Sequence, residues 1–173
     1  NNGGSNAHSA LVPLTSDSCT VNNLSHWTNT VSSSVGEGGS KLSTGTWIAK
    51  YPGELGNALT VSFCPADSAF DHFNKQTDGS GHVNGWAYAG QFDGKPGTSA
   101  YALANGGTND EVHVAVIDRT GAISGTPGSV LEKFEYLSVA KGATTSDNSP
   151  NYISDVLNGQ SQYIWNGYFG DDS

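Results

Sequence analysis

From Glu111 to Ile117 the chain reads Glu-Val-His-Val-Ala-Val-Ile, which puts Val112, Val114 and Val116 on one face of an extended segment and His113, Ala115 and Ile117 on the other. Successive side chains of a strand point to opposite faces, and here both faces are largely apolar, so the pattern predicts a central strand. A second alternation sets Leu59, Val61 and Phe63 against Thr60 and Ser62. It predicts a half-buried strand ended by Pro65. Thr46 to Lys50 reads as a further strand, broken by Tyr51-Pro52-Gly53, because Pro cannot donate to a ladder and Gly favours the turn. Ser129 to Leu137 fits two periods. Val130, Phe134 and Leu137 suit a helix face, whereas Val130, Glu132, Phe134 and Tyr136 alternate; the aromatic content favours the strand. Ser161 to Trp165 reads as a closing strand.

Short helices fill the gaps. Ala66 to Phe73 suits one that carries Phe70 and Phe73. Thr98 to Asn105 suits another, with Thr98 as N-cap, Ala100, Ala102 and Ala104 inside, and Gly106 as the stop. Ser149 and Pro150 mark the start of a third over 151–158, with Tyr152, Ile153, Val156 and Leu157 as its apolar stripe and Gly159 as its end. The Gly-rich stretch 77–97 reads as a long loop or irregular hairpin with Trp86, Tyr88 and Phe92 spaced along it. The expected fold class is α+β: a mixed, mostly antiparallel sheet with a few short helices packed on it and long Gly/Ser/Asn-rich loops. Residues 46–173 form the α+β domain in this reading, and residues 1–45, polar with sparse large apolar positions, form a peripheral lobe or a partly mobile segment.

Composition sharpens this picture. Only 35% of the 173 residues are hydrophobic and 13% charged, so the polar surface is largely Gly, Ser, Thr and Asn, residues that serve turns and weaken helices. The formal charge of -9 and the single, scattered cations from Lys41 to Lys141 argue against binding nucleic acid or an anionic membrane. No apolar run is long enough to span a bilayer, so membrane insertion is not expected. Cys19 and Cys64 make neither a disulfide framework nor a zinc pair and read as free thiols.

Catalytic chemistry finds little support. Asp110-Glu111 and Asp171-Asp172 are adjacent carboxylates, and neighbours on a strand point apart, so they read as surface charges. A glycosidase needs two carboxyl groups facing across a cleft, and no such pair stands out. His72, His82 and His113 lie in core or loop positions without ligands at metal-site spacing; His113 reads as a hydrogen-bonded structural histidine. Asp67, Asp71 and Asp78 do not match a calcium loop. Gly125-Thr126-Pro127-Gly128 lacks the Lys and helix start of a phosphate loop and reads as a connecting turn. No enzyme activity, metal or cofactor is expected.

Three blocks, in order from Trp47 to Trp165, carry a resemblance. The first is Tyr51-Pro52-Gly53-Glu54-Leu55-Gly56-Asn57 leading into the strand Ala58 to Phe63. The second is Asp110 to Asp118 with Gly125 to Glu135 downstream. The third runs from Leu137-Ser138 through Tyr152-Ile153 and Val156-Leu157-Asn158 to Ser161-Gln162-Tyr163-Ile164-Trp165. Together they resemble the sheath subunit of contractile tails of large tailed (myovirus-type) bacteriophages, with this chain as an internal fragment.

The resemblance implies a structural subunit that polymerises in rings around a tail tube and contracts to drive the tube through the host envelope. It implies other sheath subunits as partners, tube contact through parts of the chain absent here, assembly in the host bacterial cytoplasm, and a place in the virion. It also implies that the isolated fragment is monomeric, since the linking arms lie elsewhere. The same composition suits an alternative, a β-rich carbohydrate-binding or adhesin module, in which Trp86 and Tyr88 would form the aromatic platform.

Overall fold

The computed structural model describes the backbone of residues 8–10 and, in full, residues 47–51, 53–70 and 86–166. Their elements are β1 (His8–Ala10), β2 (Trp47–Ala49), α1 (Glu54–Asn57), β3 (Leu59–Cys64), α2 (Asp67–Phe70), a 3-10 turn (Ala89–Gln91), α3 (Ala100–Ala104), β4 (Glu111–Asp118), β5 (Ser129–Ser138), α4 (Ile153–Gln160) and β6 (Ile164–Asn166). The fold is α+β, with mostly antiparallel strands, a few short helices and long loops. One sheet has four strands in the order β1-β3-β4-β5, and the other pairs β2 with β6. Of residues 1–45, the described piece is β1, which lies beside β3.

β4 occupies an internal position, and every residue from Val112 to Asp118 is buried. Its two apolar faces explain this, because each valine removed from water contributes about 1.5–3 kcal/mol. β3 departs from strict alternation: Ser62 and Cys64 are buried and Phe63 is half-buried. Ser62 is buried because its hydroxyl accepts from the indole N–H of Trp86 at 2.7 Å. Cys64 is a buried free thiol, and burial pushes it up to about 11. Cys19 lies outside the described residues.

β4 and β5 form a hairpin whose two strands differ in length. At the loop end the N–H of Gly128 donates to the carbonyl of Asp118 at 2.7 Å; at the far end the N–H of Val139 donates to Asp110 at 2.9 Å. Between those bonds β4 spans eight residues (118 − 110) and β5 spans eleven (139 − 128). The excess in β5 must leave the ladder as bulges. One lies at Tyr136, which has φ 51° and whose N–H turns to a side chain of β4.

Two helix boundaries differ from expectation. Ser99 caps α3, not Thr98: its hydroxyl accepts from Ala102 N–H at 3.0 Å, while Thr98 accepts from Asn109. The other end of α3 does stop at Gly106, with φ 77°, where the N–H groups of Gly106 and Gly107 return to the carbonyls of Leu103 and Ala102. This is the double reverse bond of a Schellman motif, and only the left-handed glycine permits it cheaply. α4 begins at Ile153, later than the Ser149-Pro150 signal. Ser149 is taken by Asp147 and Pro150 bridges Thr144, so neither is free to start a helix. Gly159 lies inside α4 and does not end it. The expected stripe is buried as read: Tyr152, Ile153, Val156 and Leu157.

Contacts divide the chain into two units. One comprises 1–8, 62–115 and 133–152; the other comprises 9–61, 116–132 and 153–173. The first unit gathers Phe70, Trp86, Phe92 and Leu137 with the buried half of β4. The second holds α4, the β2–β6 pair and the hairpin loop 119–128. In the second unit Gly56 is buried against the chain that precedes α1. A Cβ there would lie 2.2 Å from the Tyr51 carbonyl oxygen and 3.0 Å from the Ala49 Cβ. The glycine of that first sequence block is therefore a requirement of close approach.

Candidate functional site

Aromatic side chains of the first unit meet around His113, which is fully buried. Its ring stacks on Phe92 with centroids 4.9 Å apart, meets Tyr136 edge-on at 4.8 Å, and lies 5.8 Å from Phe70 and 6.3 Å from Trp86. Nε2 lies 2.9 Å from the Gly94 carbonyl and Nδ1 lies 3.0 Å from the Tyr136 backbone nitrogen. A carbonyl can only accept and an N–H can only donate, so the proton sits on Nε2 and Nδ1 is bare. Burial holds the ring below the ordinary histidine range, against the upward pull of the Gly94 and Val112 backbone groups and of Glu135 and Glu111. His113 is thus a hydrogen-bonded structural histidine.

Asp110, read from sequence as a surface charge, is buried. Its burial has a direct cause: one oxygen accepts from Ser99 N–H at 2.7 Å and the other from the hydroxyls of Ser99, also at 2.7 Å, and Ser138. Burial alone raises its carboxyl, but the Ser138 and Ser99 bonds outweigh it and hold the group below the usual carboxylate range. Ser138 in turn accepts from Ala140 N–H at 3.0 Å. Glu111 is half-buried and accepts from Gly97 N–H at 2.9 Å. The two neighbours serve different partners, as strand geometry requires.

Asp118 organises the hairpin loop. It accepts from the N–H groups of Gly121, Ile123 and Ser124 and from the Ser124 hydroxyl, at 2.7–2.9 Å. Burial opposes its charge, yet these bonds bring the carboxyl down to about 2. Gly125 to Gly128 lie in this loop as a connecting turn. Asp147 does the same for a smaller turn, bonded to Thr145 and Ser149, and those bonds lower it too.

In the second unit Lys50 sits over the Trp165 ring, with Nζ 3.8 Å from the centroid, and donates to the Ser161 carbonyl. Glu132 accepts from the Ser161 hydroxyl and Gln162 N–H, each at 2.7 Å. Burial lowers Lys50 while the charge of Glu132 raises it, and burial prevails. Tyr51, 46% exposed, tilts against Tyr163 at 6.4 Å. Sequence reasoning did not find this group, because Lys50 and Trp165 meet through the β2–β6 pairing, which sets Ile48 against Trp165 and the Lys50 N–H on the Tyr163 carbonyl at 2.8 Å.

Trp86 and Tyr88 do not form an exposed platform. Trp86 is buried, bonded to Ser62, and 4.7 Å from Phe92, so its ring faces are taken; Tyr88 is half-buried at its edge. Asp67 lies exposed on α2. His72, His82, Asp71, Asp78, Asp171, Asp172 and Phe73 lie outside the described residues. Among the described residues no three His, Cys, Asp or Glu side chains gather as a metal would need. Comparison with known proteins gives no matching family model and no match among curated proteins.

Proposed function

We propose that the chain is a structural subunit of a phage contractile tail sheath, polymerising around the tail tube and contracting to drive it through the host envelope. The sequence resemblance of the three ordered blocks is the origin of this reading. The observation that supports it best is the use made of the polar residues. Asp110, Asp118, Asp147, Glu132 and His113 are all engaged in hydrogen bonds that fix a cap, a loop, a turn, a chain crossing and a bulge. Hydrogen-bonded polar groups at buried and half-buried positions such as Asp110, Asp118, His113 and Glu132 rigidify a fold, which suits a scaffold that must transmit force. The first block also gains a physical reason, the close approach at Gly56.

The second reading, a carbohydrate-binding or adhesin module, draws on one feature, the half-exposed Tyr51 beside Tyr163. Aromatic faces of this kind suit sugar stacking, and Tyr and Trp serve interfaces generally. Expression of the whole reading frame separates the two. Tubular polymers of stacked rings in negative-stain micrographs are expected. A product that remains a small particle and binds a glycan array through Tyr51 would reject the sheath reading.

A further inference from the structure

Tyr136 occupies φ 51°, a region that aromatic residues adopt rarely, inside an otherwise extended strand. Its N–H has left the ladder and donates to Nδ1 of His113 at 3.0 Å. We propose that His113 is an acid-sensitive latch: the neutral imidazole holds the β5 bulge at Tyr136, and the imidazolium releases it.

Protonation from solvent places a hydrogen on Nδ1, the only bare ring nitrogen, since Nε2 already faces the Gly94 carbonyl. Two donors then face one another. Tyr136 N–H loses its acceptor while its backbone still sits in the left-handed region, and the bulge keeps only the bond from Asn151 Nδ2 to the Tyr136 carbonyl at 3.1 Å. The Tyr136 ring, edge-on to the imidazole at 4.8 Å, is part of the same contact and must move with it.

The surroundings decide when this happens. Phe70 of α2, Trp86 and Phe92 wall the ring with apolar surface and disfavour the cation. Glu111 on β4 and Glu135 on β5 favour it, although Glu135 is tied to Lys133 at 2.7 Å. Asp93 and Lys95 flank Gly94 on the loop, and Asp93 acts on Lys133 and Tyr136. Asp67, the charge on α2, acts on Cys64. Burial wins over the two glutamates, so release comes as pH falls below the ordinary histidine value of about 6.5 and through the lower folded one.

Amide exchange followed by NMR on the intact chain, from about pH 7 to about pH 4, tests this against the His113 ring shifts. Protection of the Tyr136 amide is expected to fall about tenfold, the loss of one hydrogen bond, in step with His113 protonation, while Val114 keeps its protection. His113→Asn retains an acceptor near the Nδ1 position and removes the titration, so its Tyr136 protection is expected to show no step. Protection of Tyr136 that stays constant while His113 titrates overturns the latch. So does a loss at Tyr136 that coincides with loss at Val114, which marks global unfolding. Should His113→Asn fail to fold, the comparison of Tyr136 with Val114 in the parent chain still decides.

Discussion

The hydroxyl of Ser99 donates to Asp110 at 2.7 Å and at the same time accepts from the first turn of α3 at 3.0 Å. A single side chain therefore couples the helix cap to the end of β4. Ser99→Ala removes both bonds and is expected to cost about 1–2 kcal/mol, the usual loss of a cap. Asp110→Ala strands Ser99 and Ser138 in a buried site and is expected to cost more, about 3 kcal/mol. Urea unfolding measures both. Equal, small losses would mean that the network contributes nothing beyond an ordinary cap.

Glycine substitutions offer a paired test of the helix boundaries. Gly159 lies within α4, with open space where a Cβ would stand. Gly159→Ala is expected to stabilise the chain by about 0.5–1 kcal/mol, because it adds helix propensity without a clash. A destabilised variant would show that Gly159 does terminate the helix. Gly56→Ala drives a methyl to 2.2 Å from the Tyr51 carbonyl, an atom of the backbone that cannot swing aside. A loss of about 3 kcal/mol or more is expected in thermal or urea unfolding.

Acid should weaken the fold in two stages. His113 is held neutral, so its contribution is complete above its unfolded value of about 6.5 and is lost as pH falls through the lower folded one. Asp110, Asp118 and Asp147 are depressed below the ordinary aspartate value. Their contribution is complete above about pH 4 and disappears as pH falls further, for Asp118 toward about 2. Urea midpoints across this range should therefore decline first from the histidine and then from the aspartates. Asp118→Asn keeps one acceptor and loses the titration, so its lower decline should be shallower than that of the parent. An identical decline in the variant would remove Asp118 from the explanation.

Where local pattern and tertiary demand agree, the sequence was legible. β4 shows apolar residues on both faces and lies inside the sheet; the α4 stripe is buried as its spacing requires. The misread positions are those where a side chain had two possible partners. Thr98 and Ser99 are both competent caps, and the choice fell to the residue that Asp110 reaches. Ser149-Pro150 is a sound helix start, but Asp147 had already claimed the serine. Trp86 looked exposed in its Gly-rich loop because nothing local announces Ser62, twenty-four residues away, as the partner of its indole. The bulge at Tyr136 is invisible for the same reason: its cause is a histidine on the neighbouring strand. Propensity could not choose between such partners. Contacts distant in sequence did.

The sheath reading makes its most specific demand on association. If the sheath proposal holds, the arms that link subunits lie in other parts of the subunit, and this chain alone should lack its strongest subunit contacts. Its formal charge of -9 adds mutual repulsion, which is greatest at low salt. The large apolar side chains left exposed among the described residues are few: Tyr51, Leu55, Leu103 and Val139. They fall in both units, Tyr51 and Leu55 in one, Leu103 and Val139 in the other, and neither pair amounts to the buried apolar core of a stable dimer. Lateral polar surfaces associate only when neighbours are held at high effective concentration, which is what linking arms supply. The purified chain is therefore expected to be monomeric at micromolar concentration and neutral pH, in low and in moderate salt. Light scattering over a concentration series reads this directly. A compact dimer that persists on dilution and survives high salt would point instead to a self-contained oligomeric binding protein, and the adhesin reading would then take precedence.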